Sequence, residues 1–153
     1  VKIIAEADSV IDVGCGFNPY KKFHQNLIGI DIVNTKADWV GDILDWPAWE
    51  RKYDVAICYG VLHFNSYDWI RKRLEWVLEH TAPNAQILIK VNPTPKEDQE
   101  ESLRSSDVVW FDRWNKGLAD HFAQMYNLEV WNWREWKNPA DNSIRYKFDY
   151  RKT

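Results

Sequence analysis

A glycine-containing turn between two short apolar segments has the residue types of a ligand site. The first segment, residues 9–13, runs into Asp12-Val13-Gly14-Cys15-Gly16, and the second, residues 27–32, ends at Asp31 and Ile32. Glycine lets a backbone approach a ligand closely, and a carboxylate can accept hydrogen bonds from two vicinal ribose hydroxyls. Strand, turn, strand and terminal carboxylate in this order predict a nucleoside-binding site. The alternative is a glycine turn with Asp31 facing solvent.

The turn departs from the fingerprint of a dinucleotide site in two respects. The G-x-G-x-x-G fingerprint requires a third glycine where this chain has Pro19. Asp12 occupies a position that is usually apolar, and its carboxylate would repel a pyrophosphate. Both departures favour a ligand that carries a cationic group.

These residues resemble the motifs of the class I S-adenosylmethionine-dependent methyltransferases. The Asp12–Gly16 turn is similar to the family's acidic-x-Gly-x-Gly motif, and Asp31 to its ribose-binding acid. Residues 41–47 are similar to the segment that contacts adenine, and residues 53–63 to the fourth strand and the turn after it. Asn18 stands where the family commonly has a third glycine, a substitution that fits because Asn tolerates a left-handed backbone.

The resemblance implies S-adenosylmethionine as the cofactor and assigns a role to each motif residue. Asp12 and the backbone around the two glycines would hold the methionine end, and Asp31 the ribose. Asp42 would bind the adenine amino group and Ile43 the adenine face, while Tyr59-Gly60 would lie under the sulfonium. The complete predicted cofactor set is Asp12, Gly14, Cys15, Gly16, Asp31, Ile32, Asp42, Ile43, Tyr59 and Gly60.

Methyl transfer from a sulfonium is an in-line displacement that depends on positioning, so no metal is predicted. It needs a base only if the acceptor must lose a proton. His63, just past the fourth predicted strand, is the candidate catalytic base, with a structural role as the alternative. Trp46 and Trp49 either stack on adenine or pack in the core. The run 71–73 (Arg-Lys-Arg) is interpreted as a solvated helix face.

Apolar segments of two periods alternate along the chain and predict the elements that position these residues. The predicted strands are 9–13, 27–32, 38–40, 53–59, 86–91, 128–136 and 144–150, and the predicted helices are 67–80 and about 111–126. Pro19 would open a short helix, and Asn65 or Ser66 would cap the helix at 67–80. Residues 93–107 are predicted to form a flexible lid over the pocket.

The order of these elements predicts an α/β, Rossmann-like methyltransferase fold. We expect a mostly parallel seven-stranded sheet with an antiparallel C-terminal hairpin and helices on both faces. A chain of 153 residues suggests one domain, residues 1–153. The terminal hairpin also fits the family, which adds an antiparallel seventh strand to its sheet.

Composition limits the class of protein further. A net charge of −3 argues against broad wrapping of nucleic acid, and the short apolar runs argue against a membrane span. Cys15 and Cys58 suit reduced thiols in a cytoplasmic protein. Most of the ten Trp should pack in the core, with a ligand-stacking surface as the alternative.

The leading hypothesis is therefore a methyltransferase with an unidentified acceptor, in an assembly that could be a homo-oligomer. The alternative is a non-catalytic module that binds S-adenosylmethionine or works with a partner protein through its Trp-rich C-terminal half. A third hypothesis is an aminopropyltransferase on the same fold, although the acidic substrate cluster expected there is not evident.

Overall fold

A mixed β-sheet forms the centre of the described part of the chain, residues 1–46, 51–93 and 111–153 of the computed structural model. Its strands are β1 (Val10–Val13), β2 (Leu27–Asp31), β3 (Trp39–Val40), β4 (Tyr53–Tyr59), β5 (Thr81–Val91), β6 (Leu128–Lys137) and β7 (Ile144–Lys152). The order is β3-β2-β1-β4-β5-β7-β6 across seven strands. Strands β1 to β5 pair in parallel, and β7 runs antiparallel between β5 and β6. The predicted fold class is confirmed, including the terminal hairpin.

Helices cover the sheet on both faces, as predicted. Helix α2 (Tyr67–Glu79) and helix α3 (Lys116–Tyr126) pack on one face, where they form the larger apolar core with alternate residues of β1, β4, β5 and β7. Helix α1 (Lys2–Glu6) and a 3-10 turn (Pro19–Phe23) lie on the other face, over a smaller core. No helix in the described part of the chain is long and apolar enough to cross a membrane.

The helix ends follow from the capping residues. The Ser66 hydroxyl accepts a hydrogen bond from the backbone N–H of Trp69, which resolves the choice between two predicted caps. The Asn115 side chain accepts from the backbone N–H of Leu118, so α3 begins at Lys116 rather than near Phe111. The predicted start was wrong because the apolar residues before the cap are buried without being helical.

Two other elements differ from the prediction. Helix α1 was not predicted; its Ile4 is buried in the smaller core. Strand β5 begins at Thr81, five residues before the predicted start, because the β4–β5 ladder shifts register between Tyr53 and Val55 and continues past Pro83. Pro83 and its neighbours had the composition of a turn.

Several predictions concern residues outside the described ranges. They are the predicted lid beyond Pro93, Pro47 at the end of the adenine segment, and Trp49. What the sequence suggests about these residues therefore stays a prediction.

Phe148 lies at the centre of the larger core and provides a test of it. Its ring is fully buried, with centroids 5.0 Å from Tyr150, 5.2 Å from Trp133 and 5.9 Å from Trp114. We expect Phe148→Ala to lower the free energy of unfolding in urea by about 3–5 kcal/mol, because it removes these contacts and leaves a cavity. Phe17→Ala is the matched control, since Phe17 is 82% exposed, and should change stability by less than about 0.5 kcal/mol. Equal small effects would place Phe148 outside the core.

Candidate functional site

A cleft of about 430 Å³ opens at the carboxyl ends of the parallel strands, beside the glycine turn. This is within the size range of small-molecule sites. Of the predicted cofactor residues, Gly14, Asp31, Ile32, Asp42, Ile43 and Gly60 line the cleft. They follow different strands and are brought together because parallel strands end at one edge of the sheet. The sequence did not point to Val61, Phe64, Asn65, Trp69 and Arg73, which line it as well.

The glycine turn is fastened to the end of β2 by its own backbone. The N–H groups of Gly14 and Cys15 both donate to the Ile30 carbonyl, at 2.8 and 2.9 Å. The Gly16 N–H donates to Asp31 Oδ2 at 2.9 Å. Because these three donors are already used, the turn offers a ligand close approach rather than free N–H groups.

Close contacts at Gly14 and Gly29 explain why glycine and asparagine occur around this turn. Gly14 has a φ of +72°, and a Cβ there would lie 3.0 Å from the Cβ of Val61. Asn18 has a φ of +61°, the left-handed conformation expected of an Asn in place of the family's third glycine. Its amide lies over Gly29, where a Cβ would be 2.5 Å from Asn18 Oδ1. Gly14 in the turn and Gly29 on β2 therefore leave no room for a side chain unless Val61 or the Asn18 amide moves.

The Asp31 carboxylate is held ionised at the end of β2. It accepts from the N–H groups of Gly16 (2.9 Å), Val33 (3.0 Å) and Asn34 (2.9 Å). Burial alone would raise the pKa of Asp31, but the three N–H donors outweigh burial and lower it. A carboxylate has about four acceptor positions, so Asp31 keeps capacity for a ligand hydroxyl.

Asp12 is a buried carboxyl group without a hydrogen-bond partner. It is 2% exposed, and among the described residues its Oδ2 has no donor. Burial, together with the negative charge of Asp31, raises the pKa of Asp12 from 3.8 to about 7. A buried carboxylate is costly unless a cation or donors satisfy it. A cationic ligand group beside the turn would remove this cost.

A charged wall that the sequence did not predict closes the far side of the cleft. Arg73 Nη2 lies 2.6 Å from Asp42 Oδ2, and the guanidinium stacks 3.7 Å from the Trp69 ring centroid. Arg73 is 8% exposed, so the interpretation of the run 71–73 as solvated was wrong for this residue, whereas Lys72 is exposed. The four-residue spacing of Trp69 and Arg73 on α2 was the available signal.

His63 lies beside the cleft and faces a second cavity. Its Nδ1 accepts from the Asn92 N–H at 2.9 Å, so a neutral ring carries its proton on Nε2. Burial and the charge of Arg145 lower the pKa of His63 to about 4. The ring is therefore neutral at pH 7 and presents a donor more readily than a base. A catalytic role for His63 stays a prediction.

We call this second cavity the recess; it has a volume of about 300 Å³. Its lining is Tyr59, Gly60, His63, Lys90, Val91, Asn92, Trp136, Asn138, Arg145 and Tyr146. Gly60 lines both the cleft and the recess. The residue that lines both cavities therefore has no side chain.

Trp46, which belongs to the predicted adenine segment, packs in the protein interior. Trp46 is partly buried against the larger core, and its ring meets Trp39 edge-on with centroids 5.1 Å apart. This arrangement agrees with the core-packing alternative for Trp46.

Comparison with known proteins identifies the fold. The sequence matches no family profile and no curated protein. A 1,6-didemethyltoxoflavin-N1-methyltransferase from Burkholderia thailandensis, solved with its namesake ligand and S-adenosylhomocysteine, is 15% identical with a TM-score of 0.73, over 96% of this chain and 71% of that chain. An S-adenosylmethionine-dependent methyltransferase from Mesorhizobium loti is 12% identical with a TM-score of 0.70, over 94% and 90%. One from Archaeoglobus fulgidus is 10% identical with a TM-score of 0.68, over 97% and 88%. The chain has the fold of S-adenosylmethionine-dependent methyltransferases.

The buried carboxyl of Asp12 predicts an unusual pH dependence of stability. Native Asp12 binds a proton more tightly than the unfolded chain does, so its contribution to stability falls as pH rises from about 4 to about 7. Native His63 binds its proton less tightly than the unfolded chain does, so the contribution of His63 to stability rises between about pH 4 and 6.5. This rise offsets part of the fall caused by Asp12.

We therefore expect Asp12→Asn to gain stability relative to the wild type as pH rises from 4 to 7, by at most about 4 kcal/mol. Urea unfolding of the ligand-free protein at pH 4, 5.5, 7 and 8 measures the difference. Asp45→Asn, at an exposed carboxylate, is the matched control and should show no such trend. A pH-independent difference for Asp12→Asn would mean that its carboxylate is solvated.

Proposed function

We propose that this protein is a methyltransferase that binds S-adenosylmethionine in the cleft and transfers a methyl group to an acceptor in the recess. The observation that carries the proposal is the pair of carboxylates at the glycine turn. Asp31 is an ionised acceptor at the cleft wall, and Asp12 is a buried carboxyl, outside the cleft lining, whose Oδ2 has no partner among the described residues. A nucleoside with a cationic substituent would satisfy both.

The residues at the turn fit the chemical groups of this cofactor. Asp12 would accept from the ammonium group of the methionine end, which supplies the missing partner of Oδ2. Asp31 would accept from a ribose hydroxyl while it continues to hold the turn. When bound, the cofactor supplies a methyl group on a positively charged sulfur, a leaving group that needs no protonation.

The opposite wall of the cleft fits a purine. Ile32 and Ile43 offer apolar surface for the faces of the ring. Asp42 Oδ1 caps the turn after β3 through the Leu44 N–H, and Oδ2 is fixed by Arg73. Asp42 is therefore held in place before any ligand arrives. One of its carboxylate oxygens could also accept a hydrogen bond from the exocyclic amino group of the purine.

A dinucleotide fits this site poorly. The segment after the turn is a short 3-10 turn that begins at Pro19, rather than a helix whose N-terminal N–H groups could bind a pyrophosphate. Asp12 adds a carboxyl group where the phosphates would lie. Both features support selectivity for a cationic nucleoside over NAD.

A non-catalytic, cofactor-binding module remains the alternative function. The observation that favours it is the state of His63, which is neutral and whose Nδ1 is already bonded to Asn92. A methyltransferase with a neutral nitrogen acceptor would still need no base to form the new bond. Formation of S-adenosylhomocysteine above the background rate, with any acceptor, separates the two functions.

Cofactor binding is tested most directly by calorimetry with S-adenosylhomocysteine, S-adenosylmethionine and NAD. We expect the first two to bind and to raise the melting temperature, and NAD to do neither. Asp31→Ala should weaken binding about 10- to 100-fold, the effect of losing charge-assisted hydrogen bonds. Asp45→Ala removes a carboxylate outside the cleft and should leave the dissociation constant unchanged.

Asp31→Ala also removes the acceptor of three backbone N–H groups, so its unfolding curve must be recorded alongside. A folded Asp31→Ala protein with wild-type affinity would refute the role of Asp31. Tighter binding of NAD than of S-adenosylhomocysteine would refute the proposed function.

A further inference from the structure

The recess carries an excess of positive charge beside the point where it meets the cleft. Lys90, near the end of β5, lines the recess, and its Nζ lies 4.5 Å from the Tyr59 ring centroid. Arg145, at the start of β7, lines it as well and makes a long ion pair with Asp141 at 3.6 Å. An excess of cations in a concave site raises the local concentration of anions.

Lys90 faces another lysine directly across the sheet. Lys90 and Lys147 are register partners in the antiparallel β5–β7 ladder, and both ammonium groups lie near the Tyr59 ring, at 4.5 and 5.8 Å. Like charges directly opposite each other on antiparallel strands destabilise a sheet. Burial and the charge of Lys147 lower the pKa of Lys90.

Neither lysine is neutralised by a carboxylate in the described part of the chain. Asp149 lies on the same face of β7, but it is 5% exposed and bonded by the Asn132 amide at 2.9 Å, and it forms no ion pair with Lys90 or Lys147. Among the described residues, the recorded contact of both ammonium groups is with the Tyr59 ring, and Lys90 and Lys147 together line a further cavity of about 490 Å³ that also contains Asp149. Lys147 does not line the recess, so an anion there would offset chiefly the burial of Lys90.

The shape of the recess limits the size and form of that anion. A volume of about 300 Å³ is at the small end of ligand sites. Tyr59, Trp136 and Tyr146 supply aromatic walls. Gly60 lines both the recess and the cleft and places no side chain between them.

We propose that the recess holds the methyl acceptor and that the acceptor is a small, planar molecule bearing a carboxylate or phosphate that Lys90 binds. The identification of this molecule as the methyl acceptor rests on the proposed function, whereas the anion site itself does not depend on it. Lys90 would neutralise the group that it binds and make it a poorer nucleophile. The anionic group therefore serves to bind the acceptor, and the methyl group is transferred to a different atom of the acceptor.

The test uses simple probes, because the acceptor is unidentified. Benzoate and phenyl phosphate are the anionic probes, and benzamide is the neutral control of nearly the same shape as benzoate. Dissociation constants are measured by NMR titration of the full chain, with and without S-adenosylhomocysteine. We expect at least one anionic probe to bind about tenfold or more tightly than benzamide. Comparison of the two anions shows whether the site prefers a carboxylate or a phosphate.

Variants at Lys90 locate the effect. Lys90→Gln should weaken binding of the preferred anion about tenfold or more, and Lys90→Arg should retain most of it. Lys72→Gln, at an exposed lysine of α2, is the matched control and should bind as the wild type does. Unfolding curves of all variants are recorded, and Lys90→Gln is expected to be at least as stable as the wild type because it relieves the repulsion from Lys147.

Each outcome separates this inference from the proposed function. Equal binding of benzoate, phenyl phosphate and benzamide, or anion binding that is unchanged in Lys90→Gln, overturns the anion site. If S-adenosylhomocysteine does not bind but the preference for anions persists and depends on Lys90, the anion site stands and the proposed methyl transfer fails. If S-adenosylhomocysteine binds and the anion preference is absent, the anion site fails and the proposed methyl transfer stands.

Discussion

The Asp31 carboxylate is the interaction on which the rest of the site depends. It accepts N–H groups from the glycine turn and from Val33 and Asn34 just beyond β2, so it fixes the distance between two strand ends. The Ile30 carbonyl, which accepts from two N–H groups of the turn, adds to this attachment. Because these bonds exist without a ligand, the cleft is preorganised and ligand binding need not order the turn.

Charge is divided between the two cavities that meet at Gly60. Asp31 and Asp42 give the cleft its negative charge, of which Arg73 neutralises the part carried by Asp42. Lys90 and Arg145 give the recess the opposite sign. A cationic ligand on one side and an anionic one on the other would each meet a complementary field and attract each other across the passage. Electrostatics would thus favour a ternary complex over either binary one.

The parts of the structure that could be predicted are those determined by local sequence. Buried runs such as that of β4 and the alternation in β7 mark strands whatever surrounds them, and the turn with its acidic neighbours marks the ligand edge. The rest depends on partners distant along the chain. Arg73 has the local sequence of a solvated residue, and its pairing depends on Asp42, which lies 31 positions away. The tautomer of His63 depends on a backbone N–H 29 positions away, which no local pattern reveals.

The contact between Asn18 and Gly29 has a consequence for how this sequence can change. The Asn18 amide fills the space above Gly29 and also donates to Asp38 Oδ2, which accepts from the Gly29 N–H. A side chain at position 29 would have to displace that amide, and only glycine at position 18 would keep the left-handed backbone while making room. The two positions should therefore covary among homologous chains, with a larger residue at 29 appearing only after Asn18 has been replaced.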